Sequence, residues 1–213
     1  MTLFDVEHVL FSGPDDPKIR EITTRMSRYV CNLEKEQERF SEKAYIVEAK
    51  KPIVFSRYTP DKVTSEKNVY LITNHEKNGS RIFLAPGVIA LIMFMKKRWM
   101  DEKKAKAAQE YFMDYFITQI KGTYIDGNDI LIGSKKIMGM TVMYNNLFNT
   151  MMVRFMLTLK AGSAQSAARE EDFAERKYKG ITGACDETGM SEDTIRGIVS
   201  GFVKYVLFWR GSR

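Results

Sequence analysis

The spacing of apolar side chains changes repeatedly along this 213-residue chain. Behind Asp16 and Pro17, Ile19, Ile22 and Met26 fall at three- and four-residue steps. That pattern predicts a helix over DDPKIREITTRM, with Asp16 as N-cap and Pro17 in the first turn. KAYIVEAKKPIVFSRY reads as two short strands broken near Pro52, because proline cannot donate to a ladder. NVYLI is a third strand, followed by the polar loop TNHEKNGS, the return RIFLA and the apolar stretch PGVIALIMFM. Residues 101–121 give the clearest helix, with Ala105, Ala108, Phe112, Phe116 and Ile120 on a core face. Ile130, Leu131 and Ile132 make a short strand, Gly133-Ser134 a tight turn, and Lys136 to Met140 the antiparallel return. TVMYNNLFNTMMVRFMLTL supplies further strand, and SAQSAAREEDFAERKY looks helical. SEDTIRGIVSGFVKYVLF is a helix capped by Ser191 that buries Ile195, Ile198, Val199, Phe202, Val203 and Val206. The sum is an α+β fold, a mainly antiparallel (mixed) sheet packed with helices. Without a Gly/Ser-rich linker or a repeat, residues 1–213 are expected to form a single domain, with room for a small C-terminal lobe at 161–213.

Composition changes this picture little: 44% hydrophobic and 28% charged residues are ordinary for a soluble globular chain. The longest apolar run, Val88 to Met95, is far short of the roughly 20 residues that span a bilayer. The N-terminus lacks the basic flank and small-residue cleavage site of a signal peptide. No membrane association is expected. Cys31 and Cys185 lie far apart without His or Cys at metal-ligand spacing, which predicts free thiols in the cytoplasm or another reducing compartment. The net charge of +6 is densest at KKRWMDEKKAK, where acidic residues interrupt the run. This fits the solvated start of a helix or a surface for an acidic protein better than a nucleic-acid footprint.

The polar set in the hairpin DGNDILIGSKKIMGM carries the candidate chemistry. A strand lysine beside a glycine suits a negatively charged ligand, because the ammonium supplies charge and the glycine lets backbone come close. Asn128 and Asp129 could orient ribose, phosphate or a metal-bound phosphate. The same residues also fit a plain Asx-type turn with Lys135 and Lys136 in solvent, and spacing alone leaves both open.

NDILIGSKKIMG resembles the Asn-Asp, Lys-Lys and Gly signature of the biotin and lipoate protein ligase superfamily. KPIVFSRYTPDKV and APGVIALIMFM look like two of its earlier segments, and KYKGITGACDETGMSEDTIRGIVSGF is similar to the end of lipoate ligase domains. The resemblance covers roughly residues 50–205 and favours the lipoate branch. It implies that Lys136 contacts the acyl carbonyl and α-phosphate of an acyl-adenylate. It also implies that Asn128 and Asp129 lie near the nucleotide, with Asp129 toward its metal, and that Gly139 is the glycine after the lysine. The family's glycine-rich loop corresponds to NHEKNGSRIFLA. There Gly79, Ser80 and Arg81 are the candidate nucleotide contacts, Asn74 and His75 replace arginines, and Leu84 and Ala85 replace a His-Asp pair. Only Gly79 of the glycine triplet is present, and Lys77 or Arg81 could supply charge from a shifted position. Related octanoyltransferases use a cysteine nucleophile, but Cys185 does not match that position and reads as a small buried residue.

The resemblance thus implies an ATP- and magnesium-dependent ligase that turns lipoate or octanoate into an acyl-adenylate. The acyl group would then pass to a lysine of an acidic, lipoyl-type acceptor domain. A non-catalytic protein reusing the ligase fold is the alternative, motivated by the altered loop. A biotin-ligase-like activity is a third reading. Nucleic-acid binding rests on charge and aromatic content alone.

Overall fold

The computed structural model describes residues 4–13, 16–30, 42–51, 53–56, 70–73, 82–96, 101–145, 149–162 and 179–211. Ten strands are described: β1 (Asp5–Phe11), β2 (Lys43–Ala49), β3 (Ile53–Ser56), β4 (Tyr70–Thr73), β5 (Ile82–Leu84), β6 (Val88–Lys96), β7 (Thr123–Asp126), β8 (Asp129–Ile132), β9 (Lys135–Asn145) and β10 (Thr150–Thr158). Four helices accompany them among the described residues: α1 (Pro17–Val30), α2 (Glu102–Gln119), α3 (Ala184–Thr188) and α4 (Glu192–Gly211).

Seven strands form the main sheet in the order β1-β2-β6-β10-β9-β8-β7, and β4-β3-β5 form a second, smaller one. Every pairing in the main sheet is antiparallel except β1 with β2, so the sheet is mixed as the sequence predicts. The helix boundaries follow their capping residues. Lys18 donates its backbone N–H to Asp16 Oδ1 at 3.0 Å, Lys104 to Asp101 Oδ1 at 2.7 Å, and Thr194 to Ser191 Oγ at 3.2 Å.

The two faces of the main sheet are covered differently. Met151, Val153, Phe155 and Leu157 of β10 point to one face, where α2 and α4 close over them with Phe112, Phe116, Val199, Phe202 and Trp209. Rings there meet edge to face: Phe116 and Phe155 at 5.0 Å, Phe112 and Trp209 at 5.0 Å, and Phe112 and Phe202 at 5.8 Å between centroids. Tyr115 donates its hydroxyl to the Ile198 carbonyl at 3.0 Å and passes close to Gly201, where a Cβ would stand 2.6 Å from the hydroxyl oxygen.

On the opposite face, α1 buries Ile19, Ile22 and Met26 over β1, β2 and β6, together with Ile53 and Leu84 of the small sheet. This second core includes Tyr45, Val47, Ala90, Ile92 and Phe94. It ends at β10, where Arg154 and Met156 are only half-buried in a strand otherwise fully buried. Beyond them on the same face lie the half-buried Gly139, Thr141 and Met143 of β9. Among the described residues, this part of the face is thus half-exposed around Arg154, Met156, Gly139, Thr141 and Met143.

Strand β1 lies outside the sequence reading, as do β7 and the short helix α3. The helix expected over 163–178 and the loop 74–81 lie outside the described residues.

Candidate functional site

Two consecutive two-residue turns build the site. Gly127 and Asn128 join β7 to β8, and Gly133 and Ser134 join β8 to β9, with Gly127 and Gly133 in the left-handed region at φ 63° and 56°. Glycine takes that conformation without the Cβ clash other residues meet. Asp129 is thus the first residue of β8, facing Gly139 of β9, and Lys136 faces Leu131.

Directly opposed residues in an antiparallel pair share a face, and faces alternate along each strand. Asp129 and Leu131 share a face, so Gly139 and Lys136 share it too, although they are three positions apart. A regular strand would send them to opposite sides. The difference is a bulge: the register slips between Ile130 and Leu131. Ile137 and Met138, both 1% exposed, then sink into the core beneath α2, while Lys136 swings onto the open face.

There Lys136 Nζ meets Asp129 Oδ1 at 2.5 Å, each side chain retaining 19% exposure. Gly139 makes room for the pair. A Cβ at this position would stand 2.8 Å from Lys136 Nζ and 3.0 Å from Asp129 Oδ1. The glycine is thus explained by the neighbouring side chains as well as by any approaching ligand.

Beyond Met138, β10 no longer flanks β9, and the segment before α3 takes its place. Lys136 donates its N–H to the Gly180 carbonyl at 2.9 Å, and its carbonyl accepts from the Thr182 N–H at 2.9 Å. Thr182 in turn donates its hydroxyl to Glu187 Oε1 at 2.6 Å. The sequence segment singled out near the C-terminus is therefore joined to the backbone of the candidate lysine.

Asn128 serves first as a strut. Its side-chain carbonyl accepts from Gln109 Nε2 at 2.7 Å, while Gln109 Oε1 accepts from the Val142 N–H at 3.1 Å. The buried glutamine thereby ties α2 to the β7–β8 turn and to β9. Sequence reading placed Asn128 beside the nucleotide and did not find Gln109, whose position on an apolar helix face is the signal that could have shown it.

The fold brings together Lys136, Asp129 and Gly139, whereas the Asn128 side chain turns to Gln109 of α2. Gly79, Ser80 and Arg81, with Asn74, His75 and Lys77, lie outside the described residues. Leu84 and Ala85 are core residues, 2% and 0% exposed, so the apolar pair supports packing. Among the described residues no three His, Cys, Asp or Glu side chains are grouped to hold a metal. Asp126 stands opposite Asp129 across the β7–β8 pair, and these two carboxylates fall short of a protein cage for a metal.

Cys185 is half-buried rather than fully buried, and lies elsewhere, at an open hollow of about 550 Å³ at the start of α4. Burial, reinforced by Glu192, pushes its thiol up from the usual range, the opposite of an activated nucleophile. The charges around it pair with one another: Lys160 with Glu192 at 2.6 Å, and Arg196 with Glu48 at 2.9 Å and Glu192 at 3.0 Å.

No family model matches the chain, and no curated protein matches it in sequence. Solved structures do match in shape. A bipartite lipoate protein ligase from Thermoplasma acidophilum, described with its E2 lipoyl domain, superimposes with a TM-score of 0.65 at 11% identity, covering 97% of this chain and 85% of that one. Lipoate-protein ligase A bound with ATP gives 0.62 at 11% identity, covering 96% and 86%. A biotin protein ligase from Aquifex aeolicus, bound to biotin and ATP, gives 0.51 at 8% identity, covering 99% and 73%. The mixed seven-stranded sheet, its helices and these matches together show that the chain has the catalytic-domain fold of the biotin and lipoate protein ligase superfamily.

Proposed function

We propose that the protein is a lipoate/octanoate-protein ligase-like acyltransferase. The observation that carries this reading is the bulge that aims Lys136 onto the open face of the sheet, against Asp129 and over Gly139. The fold it shares with ligases that bind lipoate, biotin or ATP supports the same assignment.

In the first half-reaction a carboxylate oxygen of the acyl substrate attacks the α-phosphorus of ATP and pyrophosphate leaves. In the second, the neutral amine of the acceptor lysine attacks the acyl carbonyl, AMP leaves and the nitrogen gives up a proton to solvent, giving an amide. Both steps place negative charge on carbonyl and phosphate oxygens. The ammonium of Lys136, a compact charge with three donors, is the group that would meet those oxygens. Fixed in advance by Asp129 and the Gly180–Thr182 segment, Lys136 reorganises little as charge develops. Asp129 would hold the magnesium that accompanies the phosphates and neutralises their charge. The half-buried Met143 and Met156 offer an apolar, adaptable floor for the acyl chain. The net charge of +6 favours encounter with an acidic lipoyl-type domain.

Octanoate- or lipoate-dependent exchange of labelled pyrophosphate into ATP tests the reading. Exchange by the wild type, abolished by Lys136→Ala, is expected; none with either acid overturns it. A second reading, a binding protein that has kept the fold, is favoured by the loss of all but Gly79 from the glycine triplet. It predicts binding to a protein partner that Lys136→Ala leaves unchanged.

A further inference from the structure

Arg154 stands in the middle strand of the seven-stranded sheet, on the face that carries Lys136. The register fixes this. Arg154 faces Ile92 on β6 and Thr141 on β9, while Met156, two residues on, faces Gly139, which in turn faces Asp129. Residues at such diagonal positions lie about 7–8 Å apart between Cα atoms, a gap that an arginine side chain spans. Lys136 Nζ lies over Gly139, so the two cationic residues occupy neighbouring positions of one face.

The other β10 side chains on this face are Thr150, Met152, Met156 and Thr158, and the adjoining core is built of Ile92, Phe94 and Tyr45. An apolar residue at position 154 would pack there without desolvating a charge, whereas a half-buried guanidinium carries that cost unless it is paired. Arg154 makes an interaction within the protein. Its planar fork of five donors matches the geometry of an oxygen pair.

We propose that Arg154 is a specificity-determining residue of this site, taking an anionic oxygen pair of the ligand beside the group held by Lys136. The inference rests on the ligase reading for the identity of the site and deepens it by adding a second anionic point of recognition. The group is either a second carboxylate on the acyl substrate or a phosphate of the nucleotide. In the first case the acid is not purely apolar along its chain; in the second Arg154 supplies charge on the nucleotide side.

Calorimetric titration separates these sources. The wild type, Arg154→Met, Arg154→Lys and Lys136→Ala are each titrated with octanoate, octanedioate and ATP, and thermal melts confirm that each is folded. Arg154→Met is expected to lose at least tenfold in affinity for octanedioate if the source is a carboxylate, or for ATP if it is a phosphate. Octanoate should be retained, with only partial recovery in Arg154→Lys, because an ammonium cannot reproduce the fork. Unchanged binding of all three by Arg154→Met overturns the inference, as does tighter binding of both acids, which would mark the arginine as filling space. Losses in Lys136→Ala but not in Arg154→Met overturn the inference alone. Losses in Arg154→Met but not in Lys136→Ala overturn the ligase reading alone. A folded wild type that binds none of the probes overturns both.

Discussion

A single methyl group at position 139 would compete with the Lys136 ammonium and the Asp129 carboxylate for the same space. The displaced atoms are the far ends of flexible side chains, so Gly139→Ala should fold with little loss of stability while moving the lysine off its position. We expect about a tenfold or greater loss of adenylate-analogue affinity, roughly 1.4 kcal/mol or more, by calorimetry, with the melting temperature nearly unchanged. A large fall in melting temperature with unaltered affinity would contradict the cradle. Cys185 makes the complementary case, since burial holds its thiol above the usual range and its charged neighbours are paired with one another. Cys185→Ala should leave analogue binding and pyrophosphate exchange at wild-type levels; loss of either with the fold intact would put the thiol into the chemistry.

At the level of elements, the helix α2 both closes the core and steadies the site. Phe116→Ala removes a fully buried ring that meets Phe155 and Phe202, and should cost about 3–5 kcal/mol in denaturant unfolding. Gln109→Leu should cost about 1–3 kcal/mol and weaken the analogue as well, because it leaves the Val142 N–H without its side-chain acceptor and releases the turn that begins β8. The helices α1 and α4 were legible because each combines a capping side chain with an apolar face, and α2 was legible from its apolar face alone, all local in sequence. The β8–β9 hairpin was legible from its two-residue turn. Strand β1 was not, since only Val9 and Phe11 are buried along it and its partner β2 joins it in parallel from a distant part of the chain. Nor was the bulge, because a register slip belongs to a pair of strands and leaves no mark on the periodicity of either. The roles expected of Lys136, Asp129, Asn128 and Gly139 came from motif resemblance, and the shared location of Lys136, Asp129 and Gly139 from the fold; the strut function of Asn128 and the cradle at Gly139 required the partners to be seen.

For the molecule as a whole, ion pairs bind α1 to the edge of the sheet: Glu7 of β1 meets Lys18 of α1 at 2.8 Å and Lys43 of β2 at 2.6 Å. Hydrogen bonds from Lys18 and Lys43 hold Glu7 below its ordinary value of 4.5, and Lys18 followed by Tyr45 does the same for Glu21. Lys160 and then Arg196 lower Glu192 likewise. Carboxyls depressed in the folded state contribute stability that is fully present above about pH 4.5 and lost as pH falls through their folded values. Thermal melts should therefore show a decline below about pH 4.5, smaller in Glu7→Gln and modest in size because the groups face solvent and are screened by salt. A melting temperature independent of pH down to 3 would contradict this. The proposed function rests at this scale on one arrangement, the bulged lysine on the half-exposed part of the sheet. The most direct measurement is calorimetric titration of the folded wild type and Lys136→Ala with a non-hydrolysable lipoyl-adenylate analogue. Tight binding by the wild type and its loss in the variant is the predicted result; equal binding by both, or none by the wild type, would contradict the account.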